Sequence, residues 1–166
     1  EPLPLHEITP LISESLGRPT ADLFADIEPS QAAASLGQVH HARLKDGREV
    51  AVKVRYPGIA DAVDAELKLA GLMPGLGPVK KWGFDLDGYK TTLKANMDRE
   101  LDYTSEARRQ IEFGQRVNVP GLVVPKVHED VLSDGVLVQE WQSGLPLSKI
   151  SGWPEADRMA VARILL

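Results

Sequence analysis

Residues 31–55 hold the sequence pattern that most limits how this chain can fold. Side chains alternate along residues 39–44, so that Val39, His41 and Arg43 share one face, as they do in a β-strand. An Asp-Gly pair follows, and this pair is typical of a tight hairpin turn whose two central residues need positive φ. The segment therefore predicts an antiparallel hairpin closed by a two-residue turn.

The second strand of this hairpin carries a single lysine among apolar residues. Val50, Val52 and Val54 share one face, whereas Ala51 and Lys53 lie on the other. The stem of a lysine can lie along an apolar wall while its ammonium group reaches into a cleft. A phosphate or a carboxylate would be the partner of the ammonium there. Lys53 is therefore a candidate binding residue.

Protein kinases combine two such features, a phosphate-covering loop and a strand lysine. Their pattern, G-x-G-x-x-G-x-V followed by V-A-I-K, places Ala32, Ala34 and Gly37 at the three glycine positions. Val39 and the segment Val-Ala-Val-Lys53 complete the pattern. The methyl groups of the two alanines restrict φ and keep the backbone farther from the phosphates, so nucleotide should sit differently. V-A-V-K alone is equally compatible with an ordinary hairpin and a solvated lysine.

The whole segment AAASLGQVHHARLKDGREVAVKVRYPGI closely resembles the alanine-rich loop region of the UbiB/AarF-like atypical kinases. The resemblance implies the ATP-binding small lobe of an atypical kinase or ATPase. That family supports ubiquinone and other isoprenoid-lipid metabolism. By this resemblance Lys53 would hold the α- and β-phosphates, and the backbone from Ala32 to Gly37 would cover the nucleotide.

A second motif lies in a densely charged segment that we expect to form one long helix from about Tyr89 to Val117. Its sequence ELDYTSEA resembles the E-x-D-Y-x-x-E-A signature of the same family. The resemblance places Glu106 at the glutamate that pairs with the strand lysine. It places Glu100 and Asp102 at the pair that engages an upstream Lys-x-Gly-Gln motif over the active site. Asp102 and Glu106 are four residues apart, so both can face the cleft. Without the first motif, a solvated charged face would be the simpler interpretation.

The resemblance also implies which residues contact the nucleotide. Gln139 would lie at the back of the pocket, and residues 140–142 would form a hinge that recognises adenine through backbone groups. Taken alone, these residues fit a hairpin with a polar exit at least as well. The predicted catalytic pair is Lys53 and Glu106, the predicted regulatory pair is Glu100 and Asp102, and the predicted nucleotide-binding set is Ala32, Ala33, Ala34, Ser35, Gly37, Val39, Ala51, Lys53, Gln139, Glu140 and Trp141. The expected ligand is ATP or ADP, and Mg²⁺ would take its ligands from a longer chain.

These motifs predict an α+β fold that corresponds to the N-terminal lobe of a protein kinase. Its parts would be a five-stranded antiparallel sheet, the long glutamate-bearing helix, accessory helices and the first helix of the large lobe. Residues 118–141 supply the last two strands, and Pro125 marks the first of these as an edge or irregular strand. The predicted divisions are an N-terminal helix in residues 1–20, the small lobe in 21–141 with an insert helix and connector at 57–88, and the hinge exit with the start of the large lobe in 142–166.

The N-terminal segment has the pattern of an amphipathic helix. Ile8, Ile12 and Leu16 recur at helical spacing. Gly17 followed by Pro19 is the expected stop signal. This helix should pack on the lobe.

Composition excludes several other functions. With 19 basic and 24 acidic residues the formal net charge is −5, so a basic nucleic-acid-binding surface is not expected. The chain has no cysteine, which excludes disulfides, thiol nucleophiles and cysteine-ligated zinc. Its four histidines lack metal-ligand spacing, and no stretch approaches the roughly 18 apolar residues of a membrane span. We therefore expect a cytoplasmic location, with peripheral membrane association or isoprenoid-lipid binding through a longer chain.

Several catalytic parts of a kinase are absent from these residues. Neither the catalytic loop with its aspartate and asparagine nor the metal-binding aspartate occurs, and neither does the Lys-x-Gly-Gln motif. We therefore expect a small-lobe fragment that does not turn over nucleotide by itself. The alternative from another class is a non-catalytic pseudokinase module that binds nucleotide or an isoprenoid lipid and signals by conformation. An ordinary small-molecule phosphotransferase of kinase-like fold is disfavoured by AAAS together with ELDYTSEA.

Overall fold

A computed structural model describes residues 2–34, 36–59, 61–62, 65 and 86–165 of the chain. Its strands are β1 (Phe24–Ala34), β2 (Gly37–Leu44), β3 (Glu49–Arg55) and β4 (Val136–Glu140). Its named helices are α1 (Leu5–Leu16), α2 (Thr20–Leu23), α3 (Leu86–Leu101), α4 (Tyr103–Arg116) and α5 (Glu155–Leu165). Short 3-10 turns lie at Glu129–Val131 and Leu147–Gly152. The fold is therefore α+β, as predicted.

The sheet of the described residues is antiparallel and has four strands in the order β1-β2-β3-β4, not five. The segment predicted as a further strand, 122–127, pairs with β4 only through the isolated bridge between Val127 and Gln139. Two backbone hydrogen bonds flank that bridge and continue no further. Pro125 has no N–H to extend the ladder, and its carbonyl accepts a hydrogen bond from a side chain, Gln110 Nε2, at 2.7 Å.

The β2–β3 hairpin has the predicted faces but a different turn. Gly47 has a φ of 90°, whereas no described residue other than glycine has a positive φ. A two-residue primed turn would need positive φ at Asp46 as well, so that part of the prediction is wrong. Instead the Gly47 N–H donates to the Leu44 carbonyl at 3.0 Å, and the Leu44 N–H donates to the Arg48 carbonyl at 2.9 Å. These bonds are typical of a type I turn followed by a glycine bulge.

Helix α1 covers one face of the sheet, here called the outer face. This agrees with the prediction that an N-terminal helix packs on the lobe. Ile8 and Ile12 are fully buried and form the core with alternate strand residues. Gly17 ends the helix in the left-handed conformation, with a φ of 63°. The outer core comprises Ile8, Ile12, Phe24, Ala42, Leu44, Val50, Val52, Val54, Val131, Val136 and Val138.

Two buried polar residues on β2 attach the segment before α1 to the sheet. The Gln38 amide accepts from the Leu3 N–H at 2.7 Å and donates to the Leu3 carbonyl at 2.9 Å. Its second hydrogen is directed at His40 Nε2, 2.9 Å away. His40 Nδ1 therefore carries the ring hydrogen and donates to the Glu28 carbonyl at 2.8 Å. These bonds satisfy both buried side chains, so they stabilise the N-terminal segment without an unpaired polar group.

The segment predicted as one long helix is divided into α3 and α4. Asp102, between them, is extended with φ −96° and ψ 93°, and it caps the N-terminus of α4. Its carboxylate accepts the Ser105 N–H at 3.0 Å. This contact satisfies one of the N–H groups that a helix start leaves without a partner. The prediction of a continuous helix from Tyr89 to Val117 is therefore wrong, although both halves are helical.

Strand β1 is longer and less regular than the sequence predicts. It runs through the alanines to Ala34, where a small-residue loop beginning at residue 31 was expected. Its pairing with β2 shifts register at three places, between Phe24 and Asp26, between Ile27 and Ser30, and between Ser30 and Ala32. Pro29 lies within the second shift. Such shifts bend and twist a strand.

The remaining predictions concern the insert and the C-terminal part. Most of the predicted insert helix and connector at 57–88 lies outside the described residues, and so does Ser35. α5 begins directly after Pro154, and proline is common at the start of a helix. The domain divisions themselves stay predictions.

We predict that Ile12→Ala lowers the free energy of unfolding by about 2–5 kcal/mol, since it leaves a cavity between α1 and the sheet. Urea unfolding followed by circular dichroism measures this change. Leu145→Ala is the control, because Leu145 is 68% exposed. Equal midpoints for the two variants would show that α1 does not pack on the sheet in solution.

Candidate nucleotide-binding site

The face of the sheet opposite α1, here called the inner face, carries residues that the two motifs predict to be functional. Strand register places Val39, Lys53 and Leu137 side by side across β2, β3 and β4. The next row contains Ala51 with Gln139 on β4. Side chains on this face alternate with those of the outer core, because successive residues of a strand point to opposite faces. Four predicted site residues, Val39, Ala51, Lys53 and Gln139, therefore lie on one face of the sheet.

Lys53 and Glu106 form the central contact of this surface. The ammonium of Lys53 donates to both carboxylate oxygens of Glu106, at 2.9 Å to Oε1 and 2.7 Å to Oε2. Their side chains are 26% and 33% exposed, so solvent and ligands can reach the pair. Glu106 lies in the first turn of α4, where a carboxylate is also favoured by the helix dipole. The structure thus brings together the two residues that the sequence predicts as a catalytic pair.

Tyr103 forms the floor beneath Lys53. Lys53 Nζ lies 4.5 Å from the centre of the Tyr103 ring, within the range of a cation–π contact. The ring is buried and packs with Ala107 and Leu137. Burial, reinforced by the nearby Glu106 carboxylate, raises the pKa of Tyr103 to about 12. Tyr103 therefore stays neutral under ordinary conditions and serves as an apolar support with a polar tip.

Gly37 is required by close packing. A Cβ at this position would lie 2.3 Å from the Val54 carbonyl oxygen and 2.8 Å from the Tyr103 hydroxyl. Its φ is not positive, so conformational freedom is not the reason for the glycine. Gly37 was predicted to contact nucleotide as the third glycine of the loop. The structure shows a further reason for its small size, because the Val54 carbonyl of β3 and the Tyr103 hydroxyl meet there.

The predicted alanine loop is part of the sheet. Ala32, Ala33 and Ala34 pair with Val39, Gln38 and Gly37, so they belong to β1. Ala32 and Ala33 are exposed to solvent, and Ala34 is partly buried. The methyl groups of these alanines therefore lie on a paired strand and not on an unpaired loop.

The Asp102 carboxylate accepts hydrogen bonds that the family motif does not indicate. Its carboxylate accepts hydrogen bonds from the hydroxyls of Thr104 and Ser105 and from the Ser105 N–H. These donors hold the pKa of the Asp102 carboxyl well below its usual range, the Ser105 hydroxyl having the largest effect. Because Asp102 precedes the first turn of α4, the shared helix face assumed for it and Glu106 does not exist. Glu100 lies on α3 and is exposed, and the regulatory role of both residues stays a prediction.

Gln139, predicted at the back of the pocket, and the predicted hinge residues Glu140 and Trp141 each contact a different part of the fold. Gln139 Oε1 accepts from Gln110 Nε2 at 2.9 Å, which links β4 to the helix that carries Glu106. Glu140 Oε2 accepts from the Lys126 N–H at 3.2 Å. The Trp141 ring lies against His41, with 4.5 Å between ring centres and 43° between planes. Sequence analysis missed Gln110, although its position four residues after Glu106 puts it on the same helix face.

Neither a candidate metal site nor a helix suited to span a membrane occurs among the described residues. They contain no group of three or more side chains suited to hold a metal ion. Among them, no helix has both the length and the apolar character to cross a membrane.

We predict that Gly37→Ala lowers the free energy of unfolding by about 1–3 kcal/mol, as overpacking of a close-packed site does. The backbone oxygen of Val54 cannot yield as the tip of a flexible side chain would. Urea unfolding provides the measurement. Gly144→Ala is the matched control, because a Cβ there has no heavy atom within 4 Å. Unchanged stability of Gly37→Ala would contradict this packing.

We also predict that Asp102→Ala destabilises the fold by about 0.5–2 kcal/mol at pH 7, through loss of the cap. The folded-state pKa of Asp102 is depressed, so the contribution of its charge is present above the usual carboxyl pKa of about 4 and is lost as the pH falls through the folded value. The difference between wild type and variant should therefore shrink in acid, which unfolding curves from pH 7 to pH 2 test. Asp102→Asn keeps a capping side chain without the charge and should remove this part of the pH dependence. A difference that is constant with pH would refute the assignment.

Comparisons with known proteins identify kinase-like relatives of this chain. The family model of the ABC1 atypical kinase-like domain matches residues 1–165. An aarF domain-containing protein kinase of the Arabidopsis thaliana chloroplast is 35% identical over 85% of this chain and 21% of its own length. The mitochondrial atypical kinase COQ8B of Rattus norvegicus is 33% identical over 99% of this chain and 31% of its own. The probable protein kinase UbiB of Marinobacter nauticus is also 33% identical, over 93% and 29%.

A solved structure shows that the fold is shared as well. The complex of Rv3197 with erythromycin from Mycobacterium tuberculosis superposes with a TM-score of 0.76 and 36% identity, over 90% of this chain and 38% of that one. The chain thus spans between 21% and 38% of the lengths of these relatives. Together with the match along nearly its whole length, these similarities show that the chain belongs to the ABC1 atypical kinase-like domain family, which includes proteins named COQ8, UbiB and AarF-domain kinases.

Proposed function

We propose that this chain is the ATP-binding small lobe of an atypical kinase or ATPase of the UbiB type. The observation that carries the proposal is the two-oxygen contact of Glu106 with Lys53 on an accessible surface. A surface ion pair contributes little to stability, typically about 0–1 kcal/mol. A pair that contributes so little is better explained by the direction it imposes on the Lys53 ammonium.

The ammonium group has donors enough for two partners. It carries three hydrogens, and Glu106 occupies one side of it, so phosphate oxygens can approach the remaining side. Glu106 holds the ammonium in place, and the Tyr103 ring supports it from below. In this proposal Lys53 binds the α- and β-phosphates and supplies positive charge where negative charge develops during transfer. The chain then contributes positioning and charge, without a covalent step.

The remaining predicted residues give the pocket its shape. Val39 and Ala51 provide a small apolar surface on the sheet for the base, and Gln139 closes the back. Residues 140–141 are the proposed hinge, and the hairpin end after Ala34 is the proposed cover of the phosphates. The ligand would be ATP or ADP. Mg²⁺ would be bound by residues beyond these 166, since the kinase metal-binding aspartate does not occur among them.

The biological setting of the proposal comes from the relatives. The similarity of this chain to proteins named COQ8B and UbiB supports the proposal that it acts in ubiquinone or related isoprenoid-lipid metabolism. We propose that a lipid or a membrane surface is contacted through the full natural chain, and that Glu100 and Asp102 engage a segment that restricts substrate access. The 166 residues alone, which lack the catalytic loop, would not hydrolyse nucleotide. A nucleic-acid partner is not proposed for a chain with a net charge of −5.

A non-catalytic module is the second candidate, and one observation favours it. The alanines of the covering segment are paired in β1, so fewer backbone N–H groups are free to face phosphates than in a glycine-rich loop. Such a pseudokinase would bind nucleotide or lipid and respond by a change of conformation. The intact Lys53–Glu106 contact favours the catalytic reading.

We predict that Lys53→Ala, in the full natural chain, lowers Mg²⁺-dependent ATP hydrolysis by about 10²–10³-fold, as removal of one charge-stabilising donor does. Glu106→Gln should lower hydrolysis less, because an amide can still accept one hydrogen bond from Lys53. Phosphate release, measured with and without lipid vesicles, reports hydrolysis, and a thermal shift with ATP or ADP reports binding.

Lys45→Ala is the matched control, since Lys45 is exposed and lies outside the inner face. If wild type binds nucleotide but never hydrolyses it, while Lys53→Ala alters binding only, the pseudokinase reading replaces the catalytic one. If nucleotide causes no thermal shift in wild type, the catalytic reading fails, and so does a module that binds nucleotide, which leaves only a module that binds lipid.

A further inference from the structure

We propose that Arg55 is a positioning residue that holds the start of α4 so that Glu106 meets Lys53, an inference that rests on the proposed function of that pair. Arg55 lies on β3 two residues after Lys53 and on the same face. Its guanidinium does not touch Lys53 or Glu106 through any described hydrogen bond. It contacts the joint between α3 and α4 instead.

The first contact of Arg55 is with the end of α3. Its Nη1 donates to the Leu101 carbonyl at 2.5 Å. Leu101 is the last residue of α3, and the last carbonyls of a helix have no partner within it. A cation there also interacts favourably with the negative end of the helix dipole. Arg55 therefore stabilises α3 at the point where α4 begins.

The second contact of Arg55 is with Asp134, in the turn before β4. Nη1 donates to the Asp134 carbonyl at 3.2 Å and Nη2 to its Oδ2 at 3.2 Å. The same carbonyl accepts the Tyr103 N–H at 3.2 Å. Arg55 and the first residue of α4 thus share one acceptor. The strand, the helix joint and the turn before β4 meet at this guanidinium, which is 24% exposed.

Two links therefore join β3 to the start of α4. Lys53 and Arg55 are separated by about 6.8 Å along the strand. Tyr103 and Glu106 are separated by three residues, or about 4.5 Å, along α4. Tyr103, Ala107 and Gln110 also hold α4 against the sheet, and Arg55 adds a point of attachment beside the contact of Lys53 with Glu106. With both, the position of the helix and the direction of Glu106 are set together, because planar guanidinium donors reach two acceptors at fixed angles.

The test compares Arg55→Met, Arg55→Lys and Asp134→Asn with wild type in the full natural chain, with Arg48→Met as control. Arg48 is an exposed arginine whose carboxylate partner is Asp46. Hydrogen exchange measures the protection of amides 105–107, and steady-state ATP hydrolysis measures kcat and KM. Exchange needs no nucleotide, so it decides the positioning role even if wild type shows no turnover and the proposed function fails.

We expect Arg55→Met to speed exchange of amides 105–107 by about tenfold while the amides of β3 stay within about twofold of wild type. We expect its kcat to fall by about tenfold and its KM for ATP to change by less than about threefold. Arg55→Lys should recover part of both effects, and Asp134→Asn should reproduce part of them even if Arg55→Met does not fold. Exchange at 105–107 that stays at the wild-type rate in all three variants, or that rises equally with exchange in β3, would overturn the proposal.

Discussion

The contact between one ammonium and one carboxylate organises the inner side of this small lobe. Lys53 and Glu106 are 53 residues apart in sequence, and their contact joins α4 to β3. The contact requires a strand lysine that points inward, a helix that begins at the right place, and support beneath the ammonium. Tyr103 supplies the support and Asp102 the start of the helix. The ion pair itself contributes little to stability, since both of its side chains are partly exposed.

Outer and inner faces of the sheet have separate tasks. The outer face is closed by α1, and its two buried polar side chains on β2, Gln38 and His40, are hydrogen-bonded. Its stability leaves the inner face free to carry charge at an accessible surface. A lobe with one face sealed can tolerate a lysine, a glutamate and small residues on the other without losing its core.

Features that depend on neighbours in sequence could be predicted from the sequence. The alternation in β2 and β3 and the end of α1 at Gly17 lie in local patterns, whereas the pairing of Glu106 with Lys53 is implied by the resemblance to the UbiB/AarF-like family. Features that depend on distant contacts could not. Pro125 indicates an irregular strand, but it does not indicate that this segment keeps only an isolated bridge to β4. The cap at Asp102 was visible as an acid three residues before Ser105, yet helical periodicity on both sides concealed the break. Arg55 was missed because its acceptors, Leu101 and Asp134, lie 46 and 79 residues away.

Strand β1 has one consequence beyond the site. Within the described residues it forms an edge of the sheet, and an edge of 11 residues offers a template on which a second chain could add a strand. Its three register shifts interrupt the row of outward N–H and carbonyl groups, and Pro29 has no N–H to contribute. A foreign strand would therefore find no continuous ladder to join. The irregular pairing of β1 lets an alanine-rich strand lie at the edge while protecting the protein from aggregation.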